Sequence, residues 1–547
     1  MKGKQVQRAL HVLVMVGLAI LLLIGCSNTA NNSQPAATPN QGGTDSGAGA
    51  ANAGNGGSDS SAEDQKYGGV LRIAVNKDII NIGYAPEITS IGDGMAVSGV
   101  MERLLRFDEN FNLVPHLAAD WETDPENRHI TFHLRPGVKF HDGSDFNAEA
   151  VKWNIEHYML LKRPQVAQVE SVEVLDDLTV RLHLTEWNNN VIEQVGNNMV
   201  FGSMEAYEQH GLDWVREHPV GTGPFRFKHW EKGSHVVLER FDQYWMEGRP
   251  YLDGLEVYTI LDPMTARAAL QTGEVDVLFN ADADTAVALA RDYNVVSGSS
   301  NGAVGIYLSP DSLNPDSPFA DARVRRAVGH AIDRDTLVKT ILLGYGIATD
   351  QFSAPGTSMY NDEVEGTPYN PEKARQLLAE AGYPDGFRTK ITFTNTPTDM
   401  QLYTAIQAYL KEVGIQAELN PVTQALYQEM RSPSGKWEGL LASTAKIDTD
   451  ILFNVVRNMS SKRALYFWVD FPEELEAIIE EAYKLPTIEE RNKIVADIQG
   501  RIFGEHVSVI PLYISSAPTV LRNDLKDAGF NQGHATQWDP YHAWIQK

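Results

Sequence analysis

The chain is short of cysteine, of basic charge and of long apolar runs. One cysteine, Cys26, occurs among 547 residues. A lone thiol closes no disulfide within the chain and builds no thiolate metal site. Lys and Arg number 46 against 72 Asp and Glu, a formal charge of −26. That balance speaks against nucleic acid as a partner, because a phosphate backbone needs a basic surface. Catalytic signatures are missing too: there is no H-E-x-x-H and no phosphate loop. Gly298-Ser299-Ser300-Asn301-Gly302 fits G-x-S-x-G, but a nucleophile elbow follows a strand and opens a helix. Here Ala303–Leu308 reads as a strand instead. His116, His129, His133 and His141 have no cysteine or carboxylate beside them at a metal-ligand spacing. These absences speak against a hydrolase; the expectation is no enzyme, no metal and no cofactor.

The apolar run Val12–Ile24 is too short to span a bilayer comfortably. Lys2, Lys4 and Arg8 precede it, as in a signal peptide. Leu23-Ile24-Gly25-Cys26 then resembles a bacterial lipobox. The expectation is a leader over 1–25 and a lipid-modified Cys26. Ser27–Lys66 lacks Leu, Ile, Val, Met and every aromatic residue, so it cannot bury enough surface to fold. As a flexible coil it reaches about 35 Å. A leash over 26–66 suits a protein anchored on the outer face of a Gram-positive membrane.

What is present is densest in Pro115–Glu156. Ile130, Phe132 and Leu134 alternate with Thr131, His133 and Arg135, the period of a half-buried strand. Asp124-Pro125-Glu126-Asn127 and Pro136-Gly137 are turn chemistry on either side. Asn147 suits an N-cap, and Val151, Ile155, Tyr158 and Met159 make one helical stripe. The residues alone give a β-β-α unit with no chemistry.

The order LAADW, TFHLRPGVKFHDG and AEAVKWNIE resembles the signature of the large extracytoplasmic solute-binding proteins of family 5, or cluster C. That family includes dipeptide-, oligopeptide- and nickel-binding members of ABC importers. GGVLRIAV, PVGTGPF, TARAALQTGEVDVL and RVRRAVGHAIDRDTLV extend the resemblance over Tyr67–Lys547. It implies an α/β fold of the two-lobed, periplasmic-binding-protein type II kind, a Venus flytrap. Lobe I is expected over 67–308, with an extra α+β subdomain at about 107–221. Lobe II is expected over 309–515, and 516–547 returns to lobe I. Met95–Leu105 is expected as a helix, and Asn370-Pro371 as a helix start.

The resemblance also implies a ligand cleft between the lobes. The segment Tyr84–Met95 is expected near it. Peptide-binding relatives hold the ligand's ammonium with a lobe II aspartate, and Asp448 and Asp450 are the candidates here. One register puts Asp448 at that position and another Ala445; both acids would serve equally well as helix caps. Trp187 and Asn197 suit sugar recognition by stacking and neutral hydrogen bonds, or an asparagine-rich turn. Gly196–Met199 offers no arginine of the kind nickel-chelate binders use. The expected ligand is a short peptide or similar zwitterion, with an oligosaccharide or metal chelate as alternatives. The expected partners are an ABC permease and its ATPase subunits, reached by a lipid-anchored monomer.

Overall fold

A computed structural model describes residues 66–108, 112–297, 304–357, 359–446, 451–460, 463–515, 517–530 and 538–547. Cys26, Asp448, Asp450 and the G-x-S-x-G stretch lie outside the described residues.

Two separate sheets carry the two lobes. In lobe I, Val70–Val75 lies at the centre, parallel to Gly254–Thr259 on one side and Val277–Phe279 on the other. Antiparallel strands Phe225–Glu231 and His235–Arg240 extend one edge, and Thr519–Leu521 and Asn294–Val296 the other. Leu71, Ile73, Val236, Val257 and Val277 are fully buried, as a covered parallel sheet requires. The second sheet has six strands, in the order Gly346–Ala348, Ile510–Ser515, Val304–Pro310, Leu440–Lys446, Arg388–Thr394, Gln416–Val422. Helices Ala322–Ala331 and Pro397–Glu412 bury Val324, Ala327, Val328, Leu402 and Ile406 in the core of this lobe.

The extra subdomain is a four-stranded antiparallel sheet with a helix against it. Ala118–Asp124, His129–Leu134, Thr179–Leu184 and Val169–Asp176 pair in that order. Helix Ala148–Leu160 begins where the Asn147 side chain accepts from the Ala150 N–H at 2.9 Å. Its Val151, Ile155 and Tyr158 are buried, while Met159 is half-buried. These residues join the core of lobe I. Asn370 likewise caps helix Pro371–Glu380, by accepting from Lys373 N–H at 3.0 Å.

Two expectations are corrected. The boundary at 308/309 falls inside Val304–Pro310, and that strand is hydrogen-bonded on both sides to strands of the second sheet. The chain therefore leaves the first sheet after Val296, joins the second by Val304, and returns between Ser515 and Thr519. The helix expected over Met95–Leu105 runs over Ile91–Val97, capped by Ser90. Beyond it the backbone serves other partners. Gly99 and Val100 carbonyls accept from Phe225 and Gly223, and Glu102 O accepts from Phe201. The P-V-G-T-G-P-F loop lies so close that a Cβ on Gly221 would stand 2.0 Å from Val100 O. Only glycine permits that approach.

Candidate functional site

A cavity of about 1020 Å³ opens between the lobes. Lobe I contributes the 88–91 segment, the end of helix Ala148–Leu160 with the turn Pro164–Val166, and the stretch 186–198. Lobe II contributes helices Ile451–Met459 and Glu474–Lys484. The latter shows how sequence makes a wall. Leu475, Ile479 and Ala482, spaced i, i+4, i+7, face the core of lobe II. Glu476, Glu480 and Tyr483 fall on the neighbouring stripe and line the cavity, together with Lys484.

The lining carries both signs of charge. Arg103, Arg163 and Lys484 are cationic; Glu186, Glu193, Glu476 and Glu480 are anionic. Burial pulls the Arg103 guanidinium below its ordinary range, and the charges of Asp539, Tyr158 and Glu102 oppose that pull. Burial also raises the Tyr158 hydroxyl, which donates to Ala85 O at 3.1 Å.

Next to the cavity the lobes meet in a dry seam. Helix Glu474–Lys484 ends with carbonyls that have no partner in their own helix. Lobe I supplies the donors. Asn189 Nδ2 donates to Ala482 O at 2.8 Å and Leu485 O at 3.0 Å. The Trp187 indole N–H donates to Leu485 O at 3.2 Å, and the Asn189 N–H to Tyr483 O at 3.0 Å. Beside them Arg491 Nη2 meets Glu193 Oε2 at 3.2 Å, with each side chain 1% exposed. Two such charges are held in a dry contact only because they are paired.

The family 5 description of bacterial extracellular solute-binding proteins matches residues 112–461. The chain belongs to that family. The chain is 34% identical over 323 residues to the glutathione-binding protein GsiB of Pectobacterium atrosepticum, covering 58% of this chain and 62% of that one. GsiB of Salmonella typhi is 33% identical over 325 residues, with the same coverage. The match thus spans less than two thirds of the length of these relatives. Among solved structures, the unliganded open form of the murein tripeptide-binding protein MppA superposes with a TM-score of 0.76 at 17% identity, covering 87% of this chain and 97% of that one. DppA of Helicobacter pylori, in complex with the peptide STSA, gives 0.64 at 23%, covering 89% and 99%. These likenesses establish the two-lobed type II fold.

Within this family 5 chain the expected site residues divide. Within the segment Tyr84–Met95, Ile88, Thr89, Ser90, Ile91 and Gly94 line the cavity. Tyr84 and Met95 themselves do not. Tyr84 packs 6.1 Å from both the Tyr207 and His157 rings, and burial pushes its hydroxyl up to about 12. Met95 is 1% exposed in the lobe I core. Both are large apolar side chains that core packing claims first. Trp187 lines the cavity, but its N–H is taken by Leu485 O. Asn197 is fully buried behind the wall, and neither atom of its amide has a hydrogen-bond partner. Its neighbour Asn198 lines the cavity.

The histidines are occupied elsewhere. His116 bonds Glu102 at 3.0 Å, His129 packs on His183, and His133 lies 3.8 Å from Glu122. His141 bonds the Gly223 carbonyl at 2.8 Å. No metal-ligating cluster occurs among the described residues. Reading the sequence missed Arg163, Glu476, Glu480 and the Arg491–Glu193 pair. The acids could have been found as an i, i+4 pair beside the apolar stripe of their helix. Arg163 left no signal, since its place in the wall depends on how one turn packs.

Proposed function

We propose that this chain is the solute-capturing lipoprotein of an ABC importer and binds a short peptide or similar zwitterion between its lobes. The carrying observation is the interlobe cavity of about 1020 Å³ with cationic and anionic side chains in one lining. A zwitterion taken out of water needs a partner for each charge, because an unpaired buried charge is costly. The family match and relatives whose names specify glutathione, itself a tripeptide, support this reading. Asp448 and Asp450, in the chain between two elements of lobe II, remain the proposed partners of the ligand's ammonium. Cys26 is the proposed lipid attachment, placing the protein on the extracytoplasmic face of the membrane. The proposed partners are a permease and its ATPase subunits.

A neutral ligand is the second reading. Trp187, Asn188, Asn190 and Asn198 in the lining favour an oligosaccharide. Calorimetric titration with glutathione, trialanine and maltotriose separates the two. Binding of either peptide supports the first reading; binding of the sugar alone replaces it with the second.

A further inference from the structure

Buried polar side-chain atoms are normally hydrogen-bonded. Among the described residues twelve are not, and five of these belong to Arg163, Gln165, Asn189 and Asn197. These residues sit on two adjoining pieces of lobe I: the turn Pro164–Val166 and helix Asn190–Gly196, which pack together. Arg163 and Gln165 line the cavity itself, and Asn189 and Asn197 are buried behind that wall.

Arg163 is the charged member of this group. Its backbone is fixed, since its N–H donates to Tyr158 O at 3.0 Å and its carbonyl accepts from Val166 at 3.2 Å. The side chain lines the cavity and is half-buried. Among the described residues its guanidinium has no hydrogen bond or ion pair, and its Nε is buried without a partner. The other two lining cations differ. Arg103 has a partner, and Lys484 is exposed. In a chain with 72 acids for 46 bases, a guanidinium left unpaired in a cavity wall is held for something that arrives.

We propose that Arg163 anchors the terminal carboxylate of the ligand, which makes the turn Pro164–Val166 a carboxylate subsite supplied by the extra subdomain. This rests on the peptide-binding reading above. Because Nε is buried, the carboxylate meets the outer edge of the fork, formed by the two Nη groups, in a bidentate pair. The direction of the bound peptide follows: its C-terminal end faces the subdomain.

The test uses the mature protein and an equimolar pool of random tripeptides without Asp or Glu, half as free acids and half as carboxamides. Retained peptides are identified by mass spectrometry. The wild type should enrich free acids over amides by roughly tenfold or more. Arg163→Met should lose the preference while keeping the thermal midpoint of the wild type, and Arg163→Lys should keep part of it. Retention without a free-acid preference, or an equal preference in Arg163→Met, overturns the subsite but leaves peptide binding standing. A pool that leaves no peptide on the wild type overturns the peptide reading and the subsite with it. Loss of folding in Arg163→Met leaves the acid-over-amide ratio of the wild type and of Arg163→Lys to decide.

Discussion

Replacing Arg491 with methionine removes the cation that Glu193 faces in the seam between the lobes. Both side chains are 1% exposed and meet at 3.2 Å. Removing one partner of a buried pair costs about 3–5 kcal/mol, because the remaining charge stays desolvated. The folded part has about 480 residues. At roughly 2.1 cal/mol/K per residue its unfolding entropy is about 1 kcal/mol/K, so the expected drop in Tm is roughly 3–5 °C. The cost has a ceiling. If the lobes part, water reaches Glu193, and the loss cannot exceed the free energy of parting them. The variant is therefore read by calorimetry for Tm and by small-angle scattering for lobe separation. Glu193→Gln combined with Arg491→Met removes both charges and should recover most of the loss. The reasoning fails if Arg491→Met shifts Tm by less than 1 °C with unchanged scattering, or if the double variant is as damaged as the single.

His141 donates from Nε2 to Gly223 O at 2.8 Å, and its Nδ1 faces the Gly221 N–H at 3.4 Å, an arrangement made for the neutral ring. Burial pushes it down from 6.5 to about 4. The unfolded chain binds the proton first, so this stabilisation is complete above pH 6.5 and is lost as pH falls towards 4, at most about 3 kcal/mol. Urea midpoints at pH 7.5, 6 and 4.5 should decline less in His141→Phe than in wild type; parallel declines would remove His141 from the account. Cys26→Ser should abolish labelled palmitate incorporation and release the protein into the medium, and equal labelling would remove the lipid anchor. Asn197→Leu replaces an amide that has no partner with an apolar side chain of similar volume. It should leave Tm unchanged or higher and leave ligand binding unchanged, because Asn197 is buried behind the cavity wall; a lowered Tm would show that the amide is paired in solution.

The sequence carried local structure well wherever local chemistry decides it. Asn147 and Asn370 cap the helices they were expected to cap. Pro263–Thr272 begins on proline and ends at Gly273 in the left-handed region. The alternation at Ile130, Phe132 and Leu134 marks buried strand positions, although Thr131 is buried as well, between two neighbouring strands. Legibility failed where distant backbone decides. Met95–Leu105 has a helical pattern, but Gly99 and Val100 give their carbonyls to the loop at 221–225 and Glu102 gives its carbonyl to Phe201. Val304–Pro310 looks the same whichever sheet it joins. Of the candidate site residues, Trp187 and part of the Tyr84–Met95 segment, residues 88–91, lie in the cavity lining. Tyr84 and Met95 were not separable from core residues, because burial rather than composition sets them apart. Arg163 and the Arg491–Glu193 pair are products of lobe packing, which sequence spacing does not encode.

The central claim is that a solute binds between the lobes, and native mass spectrometry of the mature protein tests it most directly. Wild type and Asn198→Trp, which places an indole in the cavity at an exposed lining position, are each mixed with glutathione and with the random tripeptide pool. The account predicts one bound peptide per wild-type chain and none on Asn198→Trp, with both proteins folded. Peptide bound equally by both would place binding outside the cavity and contradict the account, as would a wild type that retains no peptide at all.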